Sequence, residues 1–143
     1  MTIDRDLVTR KMALIVEDLV RVEELARKDP GEYLSDDTAE VLAERYLERM
    51  IGRMIDINFH LITESGHPPP RDYYDPFVRL GGLKILPAKL ASDMAGCAGL
   101  RNRIVHEYDD IEPTRVHGAL RDAVRDMPKY LEHVREFVER GGS

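Results

Sequence analysis

The run Leu100-Arg101-Asn102-Arg103-Ile104-Val105-His106-Glu107-Tyr108 brings a permanent cation, an imidazole and a phenol within eight residues of one another. Such groups can hold a phosphate and move its neighbour's proton. A guanidinium grips a phosphodiester through paired N–H bonds and offsets the negative charge that grows in the transition state. An imidazole titrating near neutral pH can take the proton from a ribose 2′-hydroxyl, whose oxygen then attacks the adjacent phosphorus while a second donor protonates the departing 5′-oxygen. Arg101 fits the first role and His106 the second, with a second chain's copy of His106 as acid. Asn102 and Arg103 would support them, and no step requires a metal or cofactor. The competing reading is a histidine at a helix end with purely structural hydrogen bonds.

Each residue of an ideal helix turns the direction by about 100°, so Arg101 and His106 would point about 140° apart. Both can address one phosphate only if the helix ends or bends inside the motif, or if a two-fold dimer supplies residues from two chains.

The elements that position the motif are helical. Val8, Met12, Ile15, Leu19, Val22 and Ala26 form one stripe of a helix running to about Lys28, which Asp29-Pro30-Gly31 stops. Ser35, Asp36 and Asp37 start a second helix, with the Ser35 hydroxyl as cap. Ala43, Leu47, Met50, Met54, Ile57 and Leu61 form one of its stripes, and Ile51, Ile55, Phe59 and Ile62 another beside it. That wide apolar arc argues for more than one neighbour and favours a dimer. Pro68, Pro69 and Pro70 make a loop, and Asp75-Pro76 opens a short helix ending at Gly81-Gly82. Leu86, Leu90, Met94 and Cys97 begin a third long helix that continues to Tyr108, weakened at Gly96 and Gly99. A fourth long helix carries Val116, Leu120, Val124, Met127, Leu131, Val134 and Val138, with Pro128 expected to kink it. The expected fold is all-α, an antiparallel four-helix up-and-down bundle with one extra short helix, in a single domain over residues 1–143.

Composition limits the function classes. A net charge of −6 argues against broad electrostatic binding to DNA or any other nucleic acid, so an RNA site must be local. Arg79, Lys84 and Lys89 are candidates to join it, against the alternative of a solvated helix face. One cysteine excludes an internal disulfide, and the first residues lack the apolar core of a signal peptide, so a cytoplasmic protein is expected. No stretch approaches the roughly 20 apolar residues of a membrane span.

Asp56 and His60, four apart on the second helix, have a spacing that two metal ligands can use, but two ligands do not make a site. A buried hydrogen-bonded pair, or polar residues lining an interface cleft, is the expectation. His67, His117 and His133 read as loop or surface positions, and Cys97 as a small core residue rather than a nucleophile.

Arg101 to Tyr108 satisfies the pattern R-x-x-x-x-H-x-Y, and the whole phrase resembles the HepT toxins of the HEPN superfamily, once called domain of unknown function 86. Ile55-Asp56-Ile57 before His60, Glu64-Ser65-Gly66, Pro70-Arg71-Asp72-Tyr73 and the stretch from Leu80 to Leu90 resemble the family in order and spacing, so residues 40–125 are covered. The resemblance implies a helical-bundle homodimer, HEPN-like, whose paired motifs meet in an interfacial cleft and cut cellular RNA, tRNA or mRNA, as the toxin of a type VII toxin–antitoxin pair. It makes Arg101 and His106 the catalytic pair. It also implies a minimal nucleotidyltransferase antitoxin, MntA, that silences the toxin by transferring AMP from ATP to the motif tyrosine, here Tyr108. A rival class is a non-catalytic protein whose Arg/His cleft binds a nucleotide or docks the nucleotidyltransferase. A second is a structural helical adaptor.

Overall fold

The structure is a computed structural model that describes residues 2–72 and 75–141, with the side chains of Asp75 and Tyr108 outside that description. Among the described residues six α-helices follow one another: α1 (Arg5–Arg27), α2 (Pro30–Leu34), α3 (Asp37–Glu64), α4 (Asp75–Gly82), α5 (Ala88–His106) and α6 (Pro113–Glu139). A 3-10 turn, Tyr108–Asp110, joins α5 to α6. The four long helices α1, α3, α5 and α6 form the expected antiparallel bundle, with two short helices rather than one. The additional helix is α2. Asp29-Pro30-Gly31 is its start as well as the stop of α1, because the Asp29 carboxylate accepts the N–H groups of Gly31 and Glu32 and Pro30 occupies the first turn.

Local chemistry sets the remaining helix ends. The Asp4 carboxylate caps α1 at Leu7 N–H, 3.0 Å away. Asp36, rather than Ser35, caps α3 by accepting the Ala39 N–H at 3.1 Å. The Ser35 hydroxyl instead donates back to the Glu32 carbonyl and closes α2. Helix α6 begins at Pro113 and is continuous through Pro128.

The core forms around α3, which packs against α1, α2, α4, α5 and α6. Its two apolar stripes, with Met50, Ile51, Met54, Leu61 and Ile62 fully buried, are therefore covered within the chain. The wide arc is a consequence of that central position and does not by itself call for a second copy. Burying side chains of this size contributes about 1.5–3 kcal/mol each. Two polar contacts fix the register of the neighbours. The Tyr130 hydroxyl of α6 donates to Asn58 Oδ1 of α3 at 2.5 Å, both residues being inaccessible to solvent. Asp18 of α1, 3% exposed, accepts from Arg49 Nη2 at 2.8 Å and Arg53 Nη1 at 2.9 Å on α3.

Candidate functional site

The motif occupies the last turns of α5. Ile104 is buried and anchors the turn to the core, while Asn102 and His106 are exposed and Arg103 is half-buried. Glu107 leaves helical geometry at φ −129°, ψ 35°, and its N–H donates to the Arg103 carbonyl at 2.7 Å, so the helix closes at His106. Arg103 Nε also lies 3.7 Å from the Glu107 carboxylate. Cations in the last turn suit the negative end of the helix dipole. Tyr108 opens the 3-10 turn just beyond, and its side chain lies outside the described residues.

Arg101 is turned toward α3. Its guanidinium lies over Gly52, such that a Cβ placed on that glycine would sit 3.5 Å from Nε and 3.9 Å from Nη2. Arg101 and His106 both remain helical, so the helix ends within the motif without folding the two side chains onto one face. On ideal geometry they stay about 140° apart around α5.

The other candidates have separate explanations. Asp56 accepts from Lys11 Nζ at 2.8 Å, and His60 Nε2 accepts the Asp4 backbone N–H at 2.8 Å. They are thus bound to α1, not to each other, which corrects the expected buried pair. Among the described residues no group of three or more His, Cys, Asp or Glu side chains is arranged to hold a metal ion. Lys89 pairs with Asp93 one turn later at 3.1 Å and is otherwise solvated. Arg79 Nη1 donates to the Pro68 carbonyl at 2.7 Å and fastens the proline loop, and Lys84 is exposed with φ 62°.

His117 is not a surface histidine. It is 4% exposed and stacks on Tyr33 of α2, ring centroids 4.7 Å apart and planes inclined by 29°. Burial pushes the Tyr33 phenol well above its ordinary range, and the nearby charges of Glu40 and Glu44 push the same way. His67 is exposed, as expected, and His133 is half-buried on α6.

Between α5 and α6 runs an open cavity of about 410 Å³ whose lining includes Met94, Cys97, Leu100, Arg115, Ala119 and Asp122. It begins beside the motif at Leu100 and Arg115. The Cys97 thiol is pushed up to about 12 by burial first, with Asp126 and Asp122 adding to it. It is no activated nucleophile.

The sequence model of the family described as Ribonuclease HepT-like matches residues 3–134. The chain belongs to the HepT-like ribonuclease family. Among curated relatives, this HepT-like chain is 35% identical over 107 residues to the tRNA nuclease HepT of Aphanizomenon flos-aquae, covering 75% of this chain and 73% of that one. It is 22% identical over 130 residues to the mRNA nuclease HepT of Shewanella oneidensis, covering 91% and 97%. Its fold matches the crystal structure of a toxin–antitoxin with AMP-PNP at a TM-score of 0.84, with 20% identity over 92% of this chain and 99% of that one. It also matches the tri-AMPylated HEPN toxin of Shewanella oneidensis in complex with MNT antitoxin at 0.81, with 22% identity over 92% and 98%. Residues 3–134 of the HepT-like match include every residue of the motif and the whole of α3. No helix among the described residues is long and apolar enough to cross a membrane.

Proposed function

We propose that this chain is the RNA-cleaving toxin of a toxin–antitoxin pair, a metal-independent endoribonuclease that works as a homodimer in the cytoplasm. The observation that carries the reading is the division of labour at the end of α5: an exposed imidazole on the closing residue and a half-buried guanidinium against α3, within the R-x-x-x-x-H-x-Y pattern that resembles the HepT toxins. Because one helix directs the two groups apart, a second copy related by a two-fold axis completes the cleft. The open cavity beside Leu100, floored by apolar side chains, is a surface against which that copy can pack.

In this mechanism His106 accepts the 2′-hydroxyl proton and the 2′-oxygen bonds to phosphorus. The bond to the 5′-oxygen then breaks, and the second copy's His106 supplies the proton that oxygen needs. The products carry a 2′,3′-cyclic phosphate and a 5′-hydroxyl. Arg101 holds the non-bridging oxygens as their charge grows. Asn102 and Arg103 orient substrate on the exposed side of the same turn.

The partner is a minimal nucleotidyltransferase of the MntA kind, which silences the toxin by transferring AMP from ATP to Tyr108. Support comes from the AMPylated HEPN toxin among the fold matches and from the place of Tyr108, two residues past His106. Each added phosphate would put negative charge beside the RNA cleft.

The test is cleavage of labelled tRNA and mRNA by purified chain in excess chelator. Wild type should cut, and Arg101→Ala and His106→Ala should each lose about 100-fold or more. Intact RNA throughout would favour a nucleotide-binding or docking protein instead. Incubation with the partner and ATP should add mass in multiples of AMP, and persistence of that gain in Tyr108→Phe would move the acceptor elsewhere.

A further inference from the structure

Helix α3 is uninterrupted for 28 residues yet carries glycine near its middle, at Gly52, where glycine is the poorest helix residue short of proline. Its neighbours all have evident work. Met50, Ile51 and Met54 are fully buried, and Arg53 joins Arg49 on the Asp18 carboxylate. Gly52 makes no turn, and what faces it is the Arg101 guanidinium arriving from α5.

The surrounding charges fit that approach. On a helical wheel Arg49 and Arg53 lie about 60° and 100° to one side of Gly52. Both are drawn onto α1 by Asp18, which is 3% exposed. Two cations that would repel Arg101 are thereby held on the far flank, and the near flank is left to the α5 side chain. Resting on the reading of Arg101 as the phosphate-holding group, we propose that Gly52 is a positioning residue for the cleavage site: its missing side chain is the bay in which the Arg101 guanidinium is held.

The contact distances grade the substitutions. A Cβ at 3.5 Å from Nε is ordinary van der Waals contact, so alanine leaves the guanidinium where it is. Valine, stiff at χ1 in a helix, adds two methyl groups around that Cβ, and leucine adds a longer branch, so each intrudes on the volume that Arg101 occupies. Misplacing a positioned group by about 1 Å can cost on the order of 100-fold in rate.

The experiment measures kcat and KM for RNA cleavage together with thermal melting. Gly52→Ala should cleave within about twofold of wild type, whereas Gly52→Val and Gly52→Leu should lose about tenfold or more, mainly in kcat. Gly52→Ala should melt no lower than wild type, because it replaces glycine inside a helix at a partly exposed position without a close contact. The double variant Gly52→Val with Arg101→Ala should be no slower than Arg101→Ala alone, since the valine acts only through the arginine. If either larger variant unfolds, the NMR resonance of Arg101 Nε–H, assigned by its loss in Arg101→Ala, still reports: it should shift in Gly52→Ala, and an unmoved resonance overturns the contact. Wild-type cleavage by Gly52→Val and Gly52→Leu, with Arg101→Ala inactive, overturns the positioning role alone. Full activity of Arg101→Ala instead overturns the reading beneath it.

Discussion

His60 Nε2 accepts the backbone N–H of Asp4 at 2.8 Å, so a histidine near the end of α3 secures the residue that caps α1. The bond identifies His60 as a structural histidine in a protein whose other histidines include a candidate base. His60→Ala should lower unfolding free energy by about 1 kcal/mol, read by urea titration, while RNA cleavage per folded molecule stays unchanged. A loss of cleavage comparable to that of His106→Ala, with stability intact, would return His60 to the site.

Asp18 neutralises two arginines across the α1–α3 interface, with Arg49 forking onto both carboxylate oxygens at 3.2 and 2.8 Å. Replacing it with alanine leaves Arg49 and Arg53, which are 39% and 21% exposed, without their shared anion. Asp18→Ala should cost about 3 kcal/mol in unfolding free energy. Arg45→Ala, whose nearest acid Glu48 is a loose 3.4 Å away on the same helix, should change stability by about 0.5 kcal/mol or less.

Burial raises the Glu44 carboxyl above its ordinary value, and the charge of Glu40 adds to the effect. The folded state therefore favours the protonated form, and stability falls as pH rises from the unfolded value through the raised folded one. Glu44→Gln should raise the melting temperature at pH 7, and the gain should vanish below about pH 4, where both proteins are uncharged at this position. A pH-independent difference would show that the carboxyl's charge is not what matters.

With its thiol pushed up to about 12, Cys97 should be slow toward alkylating reagents at pH 8. The thiolate fraction there is on the order of 1000-fold below that of a thiol at its usual value, and labelling by iodoacetamide should slow accordingly. Rapid labelling of the native protein would mean that the α5–α6 cavity opens widely in solution.

The four long helices were legible because their apolar positions recur at three- and four-residue spacing over five or more turns, a signal that local exceptions do not erase. Asp75-Pro76 was legible as a helix start, yet the same pair at Asp29-Pro30 was read only as a stop. Five residues are too few for periodicity to reveal α2. That omission also hid His117. It lies beside the stripe of Val116 and Leu120, and its stacking partner Tyr33 belongs to the helix that went unseen. At the candidate site, residue types and order were visible in the motif, and the helical course of α5 through His106 leaves Arg101 and His106 at the ideal separation of about 140°. The rest of Arg101 was not, because its bay is a glycine on another helix and no spacing within the motif reports a contact made across the bundle.

Several arginines are paired within the chain: Arg49 and Arg53 by Asp18, Arg125 by Asp126, and Arg135 by Glu132 and Glu139. On the proposed reading, in which Arg101 of each copy holds the scissile phosphate, raising ionic strength should loosen RNA binding only gently, with a log–log slope of about −1 to −2. With the net charge at −6, selectivity on that reading rests on the fit of a particular nucleotide conformation, which favours a folded loop over an arbitrary stretch of polyanion.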